Sequence, residues 1–166
     1  QAWGASWEKL EEELKAKIAA AKQKGQKIYG VELQGDSNGT INVDHHTYGK
    51  DDRSNPKSSI EQVAEILGVE LTLDEQFVAA NDKGYIPAMK ALFATEEEIV
   101  EIRRDDRIAQ GVTESDEELA EKTIADNKEV VNDLTIVHAL CSRFSPICDR
   151  LFPYDKLLIY NDSEWM

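Results

Sequence analysis

The chain has 166 residues, enough for one domain or for one domain and part of a second. With 41% hydrophobic and 31% charged residues it can bury a core beneath an ionic surface, which argues against disorder. Acidic residues number 33 against 19 basic ones, a net charge of −14 that disfavours extended duplex nucleic acid as a partner and leaves room for a small anionic substrate held through a metal ion.

Ser6 precedes Trp7, Leu10, Leu14 and Ile18, whose spacing of three and four predicts a helix from Ser6 to a stop at Gly25. Residues 27–34 then read as a strand, residues 35–39 as a turn, and residues 40–43 as a short second strand running into Asp44-His45-His46. A polar loop to about Pro56 gives way to Ser58-x-x-Glu61, a capping box ahead of Ile60, Val63, Ala64 and Leu67, closed by Gly68. The signature recurs at Thr72-x-x-Glu75, Thr95-x-x-Glu98 and Ser115-x-x-Glu118, each opening an amphipathic run, with Pro87 placed to start a shorter helix between them. Residues 102–107 alternate charge and predict an ion-paired helix face, Arg103 with Asp106 for example. A strand over 134–137, a short helix or turn around Ser145-Pro146 and a strand over 156–160 complete the order. It points to an α/β fold with a parallel-sheet core, an inserted helical section and the start of a second α/β element: residues 1–130 as the first domain with its helical linker, 131–166 as the start of a C-terminal subdomain.

No apolar run approaches the roughly 20 residues of a membrane span and no signal peptide opens the chain, so no membrane partner is expected. Cys141 and Cys148 lie seven apart without C-x-x-C spacing and read as reduced thiols, which suggests a cytoplasmic location. The chain starts at Gln1 and stops on Trp165-Met166 just after a strand, as a piece of a longer protein would. Its oligomeric state is not legible.

Asp44-His45-His46 at a strand end is the feature least explained by folding alone, because strand ends in α/β sheets are where ligands bind. Imidazole ligates transition metals, carboxylate suits Mn²⁺ or Mg²⁺, and neighbours on a strand-to-loop turn can aim one ring at a metal and the next at a substrate. An Asp-His-His in a surface loop can equally be inert. Taken with Ser58-Ser59-Ile60-Glu61-Gln62 opening the next helix and Ala79-Ala80-Asn81-Asp82-Lys83-Gly84-Tyr85 at the end of the one after, the motif resembles the DHH phosphoesterase superfamily over about residues 27–86.

The resemblance implies a parallel α/β domain with two divalent metals, usually Mn²⁺, that hydrolyses a phosphodiester or phosphoanhydride in a nucleotide or small phosphate compound. Carried over, His45 is a metal ligand, His46 faces the phosphate as a catalytic residue, Asp44 buttresses or shares the site, and Asp82 is the acidic ligand of the last motif. The second motif is normally an aspartate at the end of the preceding strand; here that strand offers Glu32, with Asp36 in the turn behind it, and either could substitute. The first motif, a strand ending in D-x-D, has no counterpart; the one other source of carboxylates is Asn161-Asp162-Ser163-Glu164. Two metals about 3.5–4 Å apart would activate a water for in-line attack. Ser58 and Ser59 with the helix N-terminus, and Arg53 and Lys83, are the candidates for holding substrate, although capping and a solvated loop explain the same residues. A non-catalytic metal- or nucleotide-binding regulatory module of the same descent is the alternative.

Overall fold

The structure is a computed structural model that describes residues 4–35 and 39–162. The chain divides into two compact units, Gln1–Ile99 and Val100–Met166. The sequence reading put the boundary further along, at 130.

In the first unit, helix α1 spans Glu12–Gln23 rather than starting at Ser6. The preceding residues are engaged elsewhere: Ser6 forms a parallel bridge with Gln34, the Trp7 N–H donates to the Gln34 carbonyl at 3.0 Å and the Gln34 N–H to that of Ala5 at 3.0 Å. Backbone groups committed to a bridge cannot begin a helix. The indole of Trp7 lies over Gly30 and donates to Asn42 Oδ1 at 3.0 Å. Strand β1 (Tyr29–Val31) pairs in parallel with β2 (Ile41–Val43), Gly30 opposite Asn42 and Val31 opposite Val43. Trp7 thus covers one face of this ribbon, and only glycine leaves space for it: a Cβ at position 30 would stand 2.0 Å from Trp7 Cζ2. Gly30→Ala is therefore expected to expel the indole at about 1–3 kcal/mol of stability, read as a red-shifted tryptophan emission and a lower melting temperature; an unchanged spectrum would refute the packing.

The loop after His46 folds into a small hairpin of β3 (Thr47–Tyr48) and β4 (Asp51–Asp52). Helix α2 (Ser59–Leu67) starts where its capping box predicts, with Glu61 Oε2 accepting from the Ser58 N–H at 2.6 Å, and Gly68 closes it at φ 69°. Helix α3 (Leu73–Ala91) opens on the Thr72/Glu75 box and breaks at Gly84 and Tyr85, whose φ of 59° and ψ of −153° leave helical space; Pro87 lies in the turn that resumes. The core of this unit includes Val43, Ala64, Phe77, Ala79, Ala80, Ile86 and Met89.

Helix α4 (Glu96–Ala109) crosses the division between the units. Helix α5 (Glu114–Asn127) is capped by Thr113 and Asp116, two residues before the expected Ser115 and Glu118: the chain turns at Gly111 (φ 84°) just after α4, and the earlier of two overlapping signatures is used. Strands β5 (Lys128–Val131), β6 (Leu134–His138) and β7 (Leu157–Tyr160), with helix α6 (Ser145–Leu151) between the last two, form a sheet in the order β5-β6-β7. Strand β5 is antiparallel to β6 and β7 parallel to it. Fully exposed β5 has no inward-facing side and was not expected. Helix α5 belongs with this sheet: Ala120 and Thr123 are buried, and Thr123 Oγ1 accepts the Leu140 N–H at 3.0 Å. Ala120, Val137, Ala139, Phe144, Ile147 and Ile159 make the core.

The expected ion-paired face on α4 is part exposed and part buried, with Arg104 and Asp105 on the surface. Arg103 does meet Asp106, but Arg103 and Arg107 are only 8% and 6% exposed, and both close on Asp149 of α6. Cys141 and Cys148 are free thiols, and burial pushes both above the ordinary thiol value. The fold is mixed α/β; in place of one parallel core sheet, the described residues form three small sheets, one parallel, one antiparallel and one mixed. No helix among them is long and apolar enough to cross a membrane.

Candidate metal centre

The centre is built on the end of β2. Val43 is buried and paired with Val31, which anchors the strand, and the chain then turns through Asp44-His45-His46. Asp44 organises that turn. Its side chain is 1% exposed; Oδ1 accepts the backbone N–H groups of His45 at 2.8 Å and His46 at 3.0 Å and lies 3.0 Å from His46 Nδ1, while Oδ2 faces Arg53 Nη1 at 3.4 Å. Burial alone would raise its proton affinity. The hydrogen bonds from His46 and His45 outweigh that and hold the Asp44 carboxyl below the usual range. Gln62 of α2 donates to the Asp44 carbonyl at 2.8 Å and to that of Lys57 at 2.9 Å, tying the turn to the helix.

His45 projects between two carboxylates. Its Nδ1 lies 3.8 Å from Glu32 Oε1 and its Nε2 3.6 Å from Asp82 Oδ2, with the side chain only 10% exposed. The buried Nδ1 has no hydrogen-bond partner. Glu32 reaches the ring from the residue after β1, where its N–H still pairs with the Val43 carbonyl at 3.0 Å but φ is 53°, uncommon outside glycine. Asp82 comes from α3 just before the break. The rings of His45 and His46 are 4.1 Å apart, and one donor atom from each of Glu32, His45 and His46 lies within 4.8 Å of the others, the one such metal-competent group among the described residues.

Glu32, Asp44, His45, His46 and Asp82 therefore meet although 36 residues separate His46 from Asp82. His46 as well as His45 offers a donor atom close to Glu32, Asp44 is taken up in hydrogen bonds to the turn, and Asp36 lies outside the described residues. Of the four residues expected to hold substrate, Arg53 and Lys83 are engaged with protein, whereas the Ser58 and Ser59 hydroxyls are buried without a hydrogen-bond partner. Arg53, 9% exposed, donates to the carbonyls of Leu33 and Gly35 and pairs with Asp51 as well as Asp44; Lys83 pairs with Glu61 at 2.6 Å. Asp162 pairs with His138, which stacks on Tyr160, and Ser163 and Glu164 are outside the described residues.

Tyr48 was missed by the sequence reading. Burial and the charge of Asp44 push its phenol up to about 12, it hydrogen-bonds Asp44, and Arg53 lies over its ring at 5.5 Å. A tyrosine two residues beyond the histidines, on a strand that turns back through Gly49, was the available signal.

No protein-family model, curated protein or solved structure matches this chain.

Proposed function

We propose that the first unit is a metal-dependent phosphohydrolase that acts on a phosphodiester or phosphoanhydride of a nucleotide or small phosphate compound. One observation carries the reading: a nearly buried histidine holds an unpartnered ring nitrogen beside a glutamate and a second histidine, a donor set suited to a divalent cation such as Mn²⁺. Glu32, His45 and His46 would hold the ion, which supplies Lewis-acid polarisation and a water of lowered pKa. Asp44 fixes the orientation of His46, and Arg53 binds the Glu32 loop to the Asp44 turn, so the donors are set before any ligand arrives.

Release of p-nitrophenol from bis(p-nitrophenyl) phosphate and from a nucleotide p-nitrophenyl ester tests the reading. Mn²⁺-dependent turnover that falls at least about 100-fold in His45→Ala is expected. The ion should also stabilise the fold, by about 2.7 kcal/mol at a hundred times its dissociation constant, a gain that His45→Ala removes. A second reading, a non-catalytic metal-binding regulatory module, is favoured by the engagement of Arg53 and Lys83 in ion pairs and the burial of Ser58 and Ser59. Metal binding without turnover of either ester would select it.

A further inference from the structure

We infer that the centre holds one divalent ion rather than two, on Glu32, His45 Nδ1 and a ring nitrogen of His46, and that Asp82 acts from outside as the carboxylate that orients His45. The inference rests on the metal-centred reading above and adds the stoichiometry of the site and the role of Asp82.

The two nitrogens of an imidazole diverge, so an ion on one leaves the other to a different partner. Here Nδ1 is the buried, unpartnered atom on the side of Glu32, and Nε2 is on the side of Asp82. An ion bonded to Nδ1 makes Nε2 the N–H donor, and the Asp82 carboxylate, 3.6 Å from it and just beyond hydrogen-bond distance, is placed to close on it as the outer partner that fixes a ligating histidine's tautomer and raises its basicity. Asp82 is correspondingly absent from the group of three mutually close donors.

A second ion would need further carboxylate oxygens; among the described residues Asp44 and Asp82 are the other carboxylates placed against the histidines, and Asp82 lies on the far side of the His45 ring from Glu32. The Oδ1 of Asp44 already serves two backbone N–H groups and the His46 ring, and its Oδ2 faces a guanidinium that is itself nine-tenths buried. A cation there would have to displace Arg53 and leave it without this partner, an expensive exchange in a buried setting. Two imidazoles and one carboxylate also leave coordination positions for water or substrate, and this nitrogen-rich set favours Mn²⁺, Fe²⁺, Co²⁺ or Zn²⁺ over Mg²⁺ or Ca²⁺.

Titration calorimetry of the full chain with Mn²⁺, read beside the electron paramagnetic resonance spectrum of the loaded protein, decides it. One ion per chain with an isolated six-line Mn²⁺ signal is expected, with tight binding lost in Glu32→Gln and His45→Ala. Asp82→Asn should keep one ion per chain at about 10–100-fold lower affinity. Two ions per chain, an exchange-coupled spectrum, or complete loss of binding in a folded Asp82→Asn would overturn the single-ion assignment and leave metal-dependent hydrolysis standing. A wild-type chain that binds no divalent ion would overturn both. The spectrum needs no variant, so misfolding of a mutant does not remove the test.

Discussion

Alanine at Asp44 is expected to destabilise the first unit by on the order of 3 kcal/mol and to disorder the histidine turn. The substitution removes the acceptor for two backbone N–H groups in a part-buried setting and the partner of His46 Nδ1. Donors left unsatisfied in such a place cost about 1–3 kcal/mol each. Arg53 keeps Asp51 and two carbonyls, which limits the loss. The milder substitution Asp44→Asn retains a carbonyl oxygen to serve the N–H groups while turning an amide toward Arg53, so its stability should fall between wild type and alanine. Urea denaturation measures the effect, and amide exchange at His45 and His46 localises it. A loss below about 0.5 kcal/mol with unchanged exchange would show that the turn holds without its carboxylate.

In the second unit the largest effect is expected at Asp149, where alanine should cost about 3–5 kcal/mol, the usual penalty for breaking a buried pair by removing one partner. Asp149 receives Arg103 through Nε and Nη2, each at 3.1 Å, and Arg107 through Nη1, all three side chains at most 10% exposed. Arg107 would keep Glu117 at 2.7 Å, whereas Arg103 would lose both bonds to Asp149 and keep its pairing with Asp106. Replacing Arg103, Arg107 and Asp149 together by apolar residues of similar volume should be far milder, because no charge is then left buried alone.

The same network gives this unit an acid limit. Burial raises the proton affinity of Glu117, but the bonds from Arg107 and Arg150 outweigh it and hold its carboxyl below the ordinary value. A depressed carboxyl contributes stability that is fully present above its unfolded value, about 4.3, and is lost as pH falls through the folded value. Glu117→Gln should therefore lower stability at neutral pH and flatten its dependence on pH below about 4. A wild-type unfolding free energy that does not change between pH 6 and 3 would contradict the assignment.

Local signals determined much of what this chain forms. Capping boxes act within four residues, so Ser58/Glu61, Thr72/Glu75 and Thr95/Glu98 mark the starts of α2, α3 and α4 in sequence and structure alike. The strands at 41–43, 134–138 and 157–160 follow from short apolar runs bounded by turn residues. Asp44-His45-His46 stood out as a histidine pair at a strand end, and Asp82 was nominated by the family resemblance alone. What tertiary structure decided depends on partners distant in sequence. Trp7 leaves the predicted helix because Gly30 and Gln34, more than twenty residues away, offer it a ribbon to cover and a backbone to bridge. Arg103 and Arg107 become interior because Asp149 reaches them from α6, whereas alternating charge alone describes only a helix face. The same distance governs the candidate site. Residue types and the resemblance nominated its members, but which atom of Asp44 meets which N–H, which nitrogen of His45 is left without a partner, and that Arg53 ties the Glu32 loop to the Asp44 turn follow from how β1, β2, α2 and α3 pack, because hydrogen bonds and ligand bonds are set to within an ångström and sequence spacing is not.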